Sequence, residues 1–342
     1  MYGSGPDIRT GPVPLLRALL YFFIMRLSKI GEFGLIRTLR NKCRCVSPDI
    51  LTGIGDDAAV VRIGNRKMLV TSDMLLEGVH FDLSFTTFRQ LGHKFLAVNI
   101  SDIFAMAGTP QYFIISLGIP EELRAEDIGE LYSGINKLAE KFGISVIGGD
   151  TCASKNGLVL SGTLIGTADR AVTRSGAKEG DGIFVTGAPG DSAMGLSLLK
   201  KQGRRVRRFS PSTARLKLMK KHLMPDPVPL KSAAGITSMI DISDGLLIDM
   251  SHICDESGVG AVIYGDRIPV SGELAAAAKA MGMDPLEFAL KGGEDYTLLF
   301  TAPLNIRTNA VKIGEVTKKG RFIIDGKGCR TPFKAEGYEH FK

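Results

Sequence analysis

Apolar residues recur along this chain in two rhythms. Between residues 31 and 168, short runs dense in Val, Ile, Leu and Ala (AAVVRI, KMLVTSD, YFIISLGI, ISVIGG and LVLSGTLIGTA) have the length and the bounding turn residues of strands. Two longer stretches carry apolar and small residues at helical spacing: Leu91 to Ala107, ending at Gly108, and Ala125 to Phe142, ending at Gly143. The segment DRAVTRSGAKEGD, residues 169–181, is polar and without periodicity, and reads as a boundary. Strand and helix patterns then resume with GIFVTG, a helix over Asp191 to Lys201, MIDIS, a helix over Gly245 to Asp255, GAVIYG, an Ala-rich helix near Glu273 to Met281, and YTLLFT. The pattern predicts two α/β domains with mixed sheets, residues 29–168 and 169–342, after an N-terminal extension over residues 1–28.

Seven aspartates stand at the ends of these apolar runs: Asp56 and Asp57 in GIGDDAAVV, Asp73 in MLVTSD, Asp102 in AVNISD, Asp150 in VIGGDT, and Asp241 and Asp244 in MIDISDG. Runs that demand burial carry their carboxylates to the edge of a core and hold them on rigid elements. Two bare carboxylates about 4 Å apart repel by roughly 4 kcal/mol at an effective dielectric near 20. A convergent set therefore needs cations or shared protons. Hard oxygen ligands without accompanying His or Cys point to Mg2+ or a similar ion, of the kind that also holds phosphate oxygens. Thr71 and Ser72 stand beside Asp73, where a hydroxyl or main-chain carbonyl completes such a shell. Asn99 lies three residues before Asp102 and projects to the same helix face.

Further motifs are weaker when taken singly. In ISDGLLIDM, Ser243 and Asp244 compete as the N-cap of the next helix. GGED places Glu294 and Asp295 after a Gly pair that lets a ligand approach the backbone. TGAPGDSAMGL has the form of a Gly-rich turn opening a helix, an anion site. No Walker loop, dinucleotide fingerprint, protein-kinase signature or nucleophile elbow occurs, so phosphate handling falls to metal ions and to Arg or Lys. His80, in EGVHF, follows a strand-end metal candidate.

Composition changes the picture in three places. A hydrophobic fraction of 44% with 23% charged residues excludes disorder over most of the length. Five cysteines without paired spacing, Cys43, Cys45, Cys152, Cys254 and Cys329, read as reduced thiols of a cytoplasmic protein and exclude a zinc site. The net charge of +7 is concentrated, with ten Lys or Arg between Lys200 and Lys221 and no acid among them. The rest of the chain is mildly acidic, and no aromatic interleaving accompanies the basic stretch, which excludes a nucleic-acid-binding reading. LLRALLYFFIM, near the N-terminus, is broken by Arg17 and too short to span a bilayer, so no membrane role is expected. Met25 reads as the expected start, with residues 1–24 an extension.

Taken in order, GIGDDAA, TSDMLLEGVHF, LAVNISDIFAMAG, GGDT, TRSGAKEGD, TGAPGDSAMGL, ISDGL and GGEDY resemble the thiamine-monophosphate kinase family, of the superfamily that includes aminoimidazole ribonucleotide synthetase. The resemblance runs from Gly31 to Phe341. It implies two α/β domains of the aminoimidazole ribonucleotide synthetase-like type, the first binding ATP and metal and pairing its sheets across a homodimer. It also implies ATP-dependent phosphorylation of thiamine phosphate to thiamine diphosphate by direct in-line transfer with several Mg2+ ions, the last step of thiamine diphosphate biosynthesis. Residue by residue, Asp57, Thr71, Ser72, Asp73, Asp102, Asp150, Asp241 and Asp244 match metal positions. Gly149, Asp150, Arg174 and Ser243 match ATP contacts, and His80 and Glu294 match substrate contacts. Catalysis rests in this reading on Asp73, Asp102, Asp150 and Arg174. The chain departs from the family in FKAEGYEHF, where Ala335 stands near the place of an aromatic expected to stack on the thiamine ring; Phe333 and Tyr338 are the substitutes. A sister enzyme acting on another substrate is disfavoured: no glycine-lysine pattern follows Cys43 or Cys45, and the chain ends in HFK, not in a reactive cysteine.

Overall fold

The computed structural model describes residues 26–43, 46–203, 205 and 213–341. The extension before Met25 and part of the basic stretch, residues 204 and 206–212, lie outside the described residues. The chain forms two compact units, one within Met1–Arg44 and Glu339–Lys342, the other Cys45–Tyr338. In the first, helix α1 (Leu27–Lys42) is kinked at Gly31, where φ is 66°. The N–H of His340 donates to the Glu32 carboxylate at 3.0 Å, tying the C-terminal residues to that helix.

The second unit contains two mixed sheets. β1 (Ile50–Thr52), β2 (Ala59–Ile63), β3 (Arg66–Leu76), β4 (Thr109–Pro120), β5 (Ser145–Ser154) and β6 (Val159–Ala168) form the first, in the order β1-β2-β3-β6-β4-β5. β6 alternates buried and half-buried residues along its whole length, the period-two pattern of a strand with one face on a core. The strands β7 (Gly182–Val185), β8 (Ser238–Asp241), β9 (Gly260–Tyr264), β10 (Leu298–Ala302), β11 (Val311–Thr317), β12 (Arg321–Ile324) and β13 (Arg330–Pro332) form the second, in the order β13-β12-β9-β11-β7-β10-β8. GIFV, SMID and LLFTA are buried at every position, because that sheet is covered on both faces.

Helix α2 (Phe88–Ala105) lies at the centre, with 15 of its 18 residues buried, and a helix apolar nearly all round has no solvent face to offer. It begins earlier than its periodicity indicates. Thr87 and Gln90 make a reciprocal capping box, a local hydrogen-bond device that hydrophobic spacing does not register. α2 packs on sheet 1 and on α3 (Ala125–Phe142), which ends at Gly143 in the left-handed conformation, as the sequence indicates. One core joins the sheets: Phe95, Ile103, Phe113 and Leu164 cluster with Met239, Leu298 and Phe300. A second core lies between sheet 2 and helices α6 (Leu246–Ser257) and α8 (Pro285–Lys291). The third gathers α4 (Asp191–Gln202), α5 (Ala214–Leu223) and α7 (Gly272–Met281).

Two strand-end expectations change. Asp73 and Asp150 are not at the ends of β3 and β5; both strands run on, to Leu76 and Ser154. For β3 the cause is the ladder with β6, unbroken from Lys67↔Ala168 to Leu76↔Val159, which outweighs the local polarity of TSD.

Candidate active site

Strand parity selects which side chains of β3 reach the interior. Leu69, Thr71, Asp73 and Leu75 share the face turned towards α2, and Leu69, Thr71 and Leu75 on it are buried. Ser72 is on the other face, where its hydroxyl donates to the Gly162 carbonyl at 3.1 Å and lies 3.1 Å from Thr163 Oγ1. On α2, Ser101 and Asp102 meet this surface. Thr71 Oγ1 donates to Asp102 Oδ2, and Ser101 Oγ donates at 2.5 Å to Oδ2 of Asp241, the last residue of β8. Asp57 comes from the turn before β2. Carboxylate oxygens of Asp57, Asp102 and Asp241 all lie within 4.8 Å of one another.

The electrostatics of this cluster are those of excess negative charge. Burial, and next the charge of Asp57, push Asp73 up to about 6 and Asp241 up to about 8. Asp102 is raised well above the usual carboxylate range by burial, then by Asp73, Asp241 and Asp57. Burial raises Asp57 as well, although Arg174 opposes the shift. Arg174 supplies compensation, its guanidinium donating to Asp57 Oδ1 at 2.5 and 3.2 Å while its main-chain N–H donates to Asp56. Asp57 Oδ2 and Asp73 Oδ2 are buried without a hydrogen-bond partner. Buried acceptors left without donors, in a set made only of carboxylates and hydroxyls, fit a hard divalent cation, and Mg2+ is therefore compatible with the residues present.

A second group surrounds Glu294. Its carboxylate meets Lys94 Nζ at 2.6 Å and His222 Nδ1 at 3.1 Å. Burial alone would raise its pKa, but Lys94 and His222 overcome that and hold it below the usual range. His80 adjoins this group, its carbonyl accepting from Lys94 Nζ at 3.1 Å and its Nδ1 accepting from the N–H of Leu76 at 3.1 Å. The Glu294 N–H donates to the Ser243 carbonyl at 2.7 Å, which links the GGED and ISDG loops.

Neither Ser243 nor Asp244 caps α6. Its N-cap is Gly245, and Asp249 from the first turn reaches back instead, its Oδ2 accepting from the N–H groups of Ser243, Asp244 and Gly245 at 3.2, 3.3 and 3.0 Å. A carboxylate near a helix N-terminus satisfies otherwise free donors, and here it shapes the loop that bears two candidate ligands. Asn99 does not join the aspartates through its amide, which donates to the Phe95 carbonyl of its own helix at 3.0 Å.

Gly149 and Asp150 stand apart from the cluster within one chain. The register places Asp73, Gly162, Ile115 and Gly149 in one row across β3, β6, β4 and β5. Three strand spacings amount to roughly 14 Å. Asp150 is exposed on β5 at the sheet edge. Phe333 is buried in the second core and has no free ring face, whereas Tyr338 is 48% exposed and its N–H donates to the Asp244 carbonyl at 3.0 Å. Sequence reading missed Lys94, Ser101, His222 and Asp249. For Lys94 the signal was present: a cation within the apolar run of the helix, seven and eight residues before Ser101 and Asp102 and hence on their face.

Residues 55–168 match the profile described as AIR synthase related protein, N-terminal domain, and residues 178–327 match its C-terminal domain. The thiamine-monophosphate kinase of Aquifex aeolicus (strain VF5) is 37% identical over 328 residues, covering 93% of this chain and 100% of the relative. That of Salmonella typhimurium is 37% identical, covering 91% and 98%. The chain belongs to the thiamine-monophosphate kinase family. Among solved structures of that family, "AaThiL complexed with AMPPCP and TMP" superposes with a TM-score of 0.82 at 35% identity, over 93% of this chain and 99% of that one. The thiamine-monophosphate kinase of Stenotrophomonas maltophilia K279a gives 0.70 at 34% identity, over 85% and 96%. A HypE–HypF complex chain, at 17% identity and a TM-score of 0.62, shares the fold. The two α/β domains expected from the sequence are thus the two AIR synthase-related domains.

Proposed function

We propose that this protein transfers the γ-phosphoryl group of ATP directly to thiamine phosphate, giving thiamine diphosphate and ADP, with Mg2+ required. The observation that carries this reading is the convergence of Asp57, Asp102 and Asp241, with Asp73 near enough to raise Asp102, a set in which Arg174 pairs with Asp57 alone and in which Asp57 Oδ2 and Asp73 Oδ2 are buried and unpartnered. Family membership supports it, as does the likeness to a kinase solved with an ATP analogue and TMP. Bound Mg2+ supplies charge neutralisation for the triphosphate and for the transferring phosphoryl group.

The chain's own residues have distinct tasks. Asp57, Asp73, Asp102 and Asp241, with Thr71, would hold the cations, and Asp244 would extend that set; Ser72, whose hydroxyl is engaged on the far face of β3, and Asp150, three strands away within one chain, stand outside it. Gly149 and Ser243 contact ATP, and Arg174, already oriented by Asp57, faces the developing negative charge. Glu294, His80 and Tyr338 hold thiamine phosphate. The attacking phosphate oxygen is anionic at neutral pH, so no strong general base is required; the bond from the γ-phosphorus to the bridging oxygen of ATP breaks as the new one forms. Positioning and charge compensation carry the rate.

Residues 29–168 act in this reading as the ATP- and metal-binding domain and 169–342 as its partner, after an extension over residues 1–28. The assembly is a homodimer in the cytoplasm, where thiamine diphosphate synthesis ends. Among the described residues no helix is long and apolar enough to cross a membrane.

The test is formation of thiamine diphosphate from thiamine phosphate and ATP, by the intact chain and by Asp73→Asn, over a Mg2+ titration. We expect product that depends on Mg2+, and a loss of about 10²-fold or more in kcat in a variant of unchanged circular dichroism. An intact protein that binds ATP with Mg2+ yet makes no thiamine diphosphate overturns the substrate assignment. Full activity in Asp73→Asn overturns the metal cluster.

A further inference from the structure

Lys94 is 2% exposed and sits in a helix that otherwise builds the central core. Burying an ammonium costs several kcal/mol of solvation, and replacing a buried ion pair with apolar side chains is often neutral or stabilising, so folding alone does not call for it. His222, from α5, is 4% exposed. Its Nδ1 lies 3.1 Å from Glu294 Oε2 and 3.2 Å from Ser192 Oγ. Burial, followed by the Lys94 charge, pushes its pKa down to about 3, so the ring is neutral and meets the carboxylate as a donor when the proton is on Nδ1. The two Glu294 oxygens are thereby gripped from opposite domains.

Glu294 also has φ of +62°. A non-glycine residue in that region stores on the order of 1–3 kcal/mol of strain and stays there only when its surroundings over-determine it. The next residue is anchored as well: Asp295 accepts from the N–H of Gly190 at 2.5 Å and of Ser192 at 3.0 Å. One buried network thus runs from His80 through Lys94, Glu294 and His222 to Ser192 and Asp295.

We infer that Lys94 and His222 are positioning residues that hold the Glu294 carboxylate in place for the acceptor, setting the affinity for thiamine phosphate and leaving that for ATP unchanged. This rests on the proposed role of Glu294 as a contact to thiamine phosphate. Lys94 acts through Glu294, so its removal should matter only while Glu294 is present.

Steady-state kinetics on the full chain test this with Lys94→Met, Glu294→Gln, the double variant, His222→Leu and His222→Gln. Lys94→Met is expected to raise KM for thiamine phosphate by about tenfold or more, the effect of losing a charged hydrogen bond. KM for ATP should move by less than about twofold. In the Glu294→Gln background the same substitution should add less than about twofold, the non-additivity of residues acting as a unit. His222→Gln, which keeps a donor, should recover affinity that His222→Leu loses. Equal effects of Lys94→Met in both backgrounds, or a parallel rise in both KM values, overturn the inference. Should Lys94→Met fail to fold, the two His222 variants decide the question, and equal KM values in them overturn the inference. An intact protein without turnover of thiamine phosphate sinks the proposed function and this inference with it. Turnover with an unchanged KM in Glu294→Gln sinks the inference alone.

Discussion

At the residue scale the site is a concentration of carboxylates whose protons are held too tightly. Asp73 is raised to about 6, and Asp56, by burial and then Asp57, to about 7. Asp295 is raised to about 7 by burial, and Asp241 to about 8. Each keeps its proton in the folded chain at a pH where the unfolded chain has released it, so unfolding releases protons and stability falls as pH rises through these values. His222 and His252, lowered to about 3 and about 4 chiefly by burial, act in the opposite sense, but their contribution is complete above the ordinary histidine pKa of about 6.5. From about pH 6.5 to about 8 the aspartates decide the slope. In EDTA the Tm should therefore drop by several degrees across that window, and saturating Mg2+, which favours the ionised carboxylates, should flatten or reverse the trend. Differential scanning fluorimetry over a pH series reads this; a Tm that climbs with pH in EDTA contradicts the charge description. The aspartates were legible in the sequence because each ends or interrupts an apolar run. Which of them meet was not, since Asp57 and Asp241 come from different domains and only the packing of α2 between the sheets joins them.

At the element scale, α2 carries Lys94, Ser101 and Asp102, and its position depends on how closely it crosses α3. A Cβ on Gly92 would collide with the main chain at Leu131, and one on Gly134 with the main chain at Arg89. Gly134→Val should therefore lower the unfolding free energy by about 2 kcal/mol or more, with loss of activity as Asp102 shifts. Urea denaturation measures the first effect; a change within about 0.5 kcal/mol would mean that the crossing tolerates a side chain. The helices and most strands were legible from periodicity and from stop signals such as Gly143. Element ends were less so. Strands β3 and β5 run past Asp73 and Asp150 because ladder pairing is a tertiary property, and α6 is held by Asp249 where local sequence favours Ser243 or Asp244 as the cap.

At the scale of the whole molecule, sheet 1 turns one face to the core and leaves apolar side chains on the described surface, with Met74 53%, Tyr112 46% and Ile147 54% exposed. β5 is an edge strand whose outer backbone groups pair with no other described strand. The proposed homodimer covers such a surface. Sedimentation should give about twice the chain mass of 36.8 kDa, and Ile147→Asp should shift the protein to monomer. A monomeric intact chain at micromolar concentration would remove the homodimer from the proposal. By itself the sequence determined the two α/β halves, the set of aspartates in apolar runs and the family, because periodicity, charge and ordered motifs are local quantities written along the chain. Tertiary structure alone decided that Asp57, Asp73, Asp102 and Asp241 share one buried site, that Ser72 turns its hydroxyl away from it, and that Lys94 and His222 grip Glu294. These depend on strand parity, register and helix packing, which bring together residues far apart in the chain and set the low-dielectric surroundings in which their charges act.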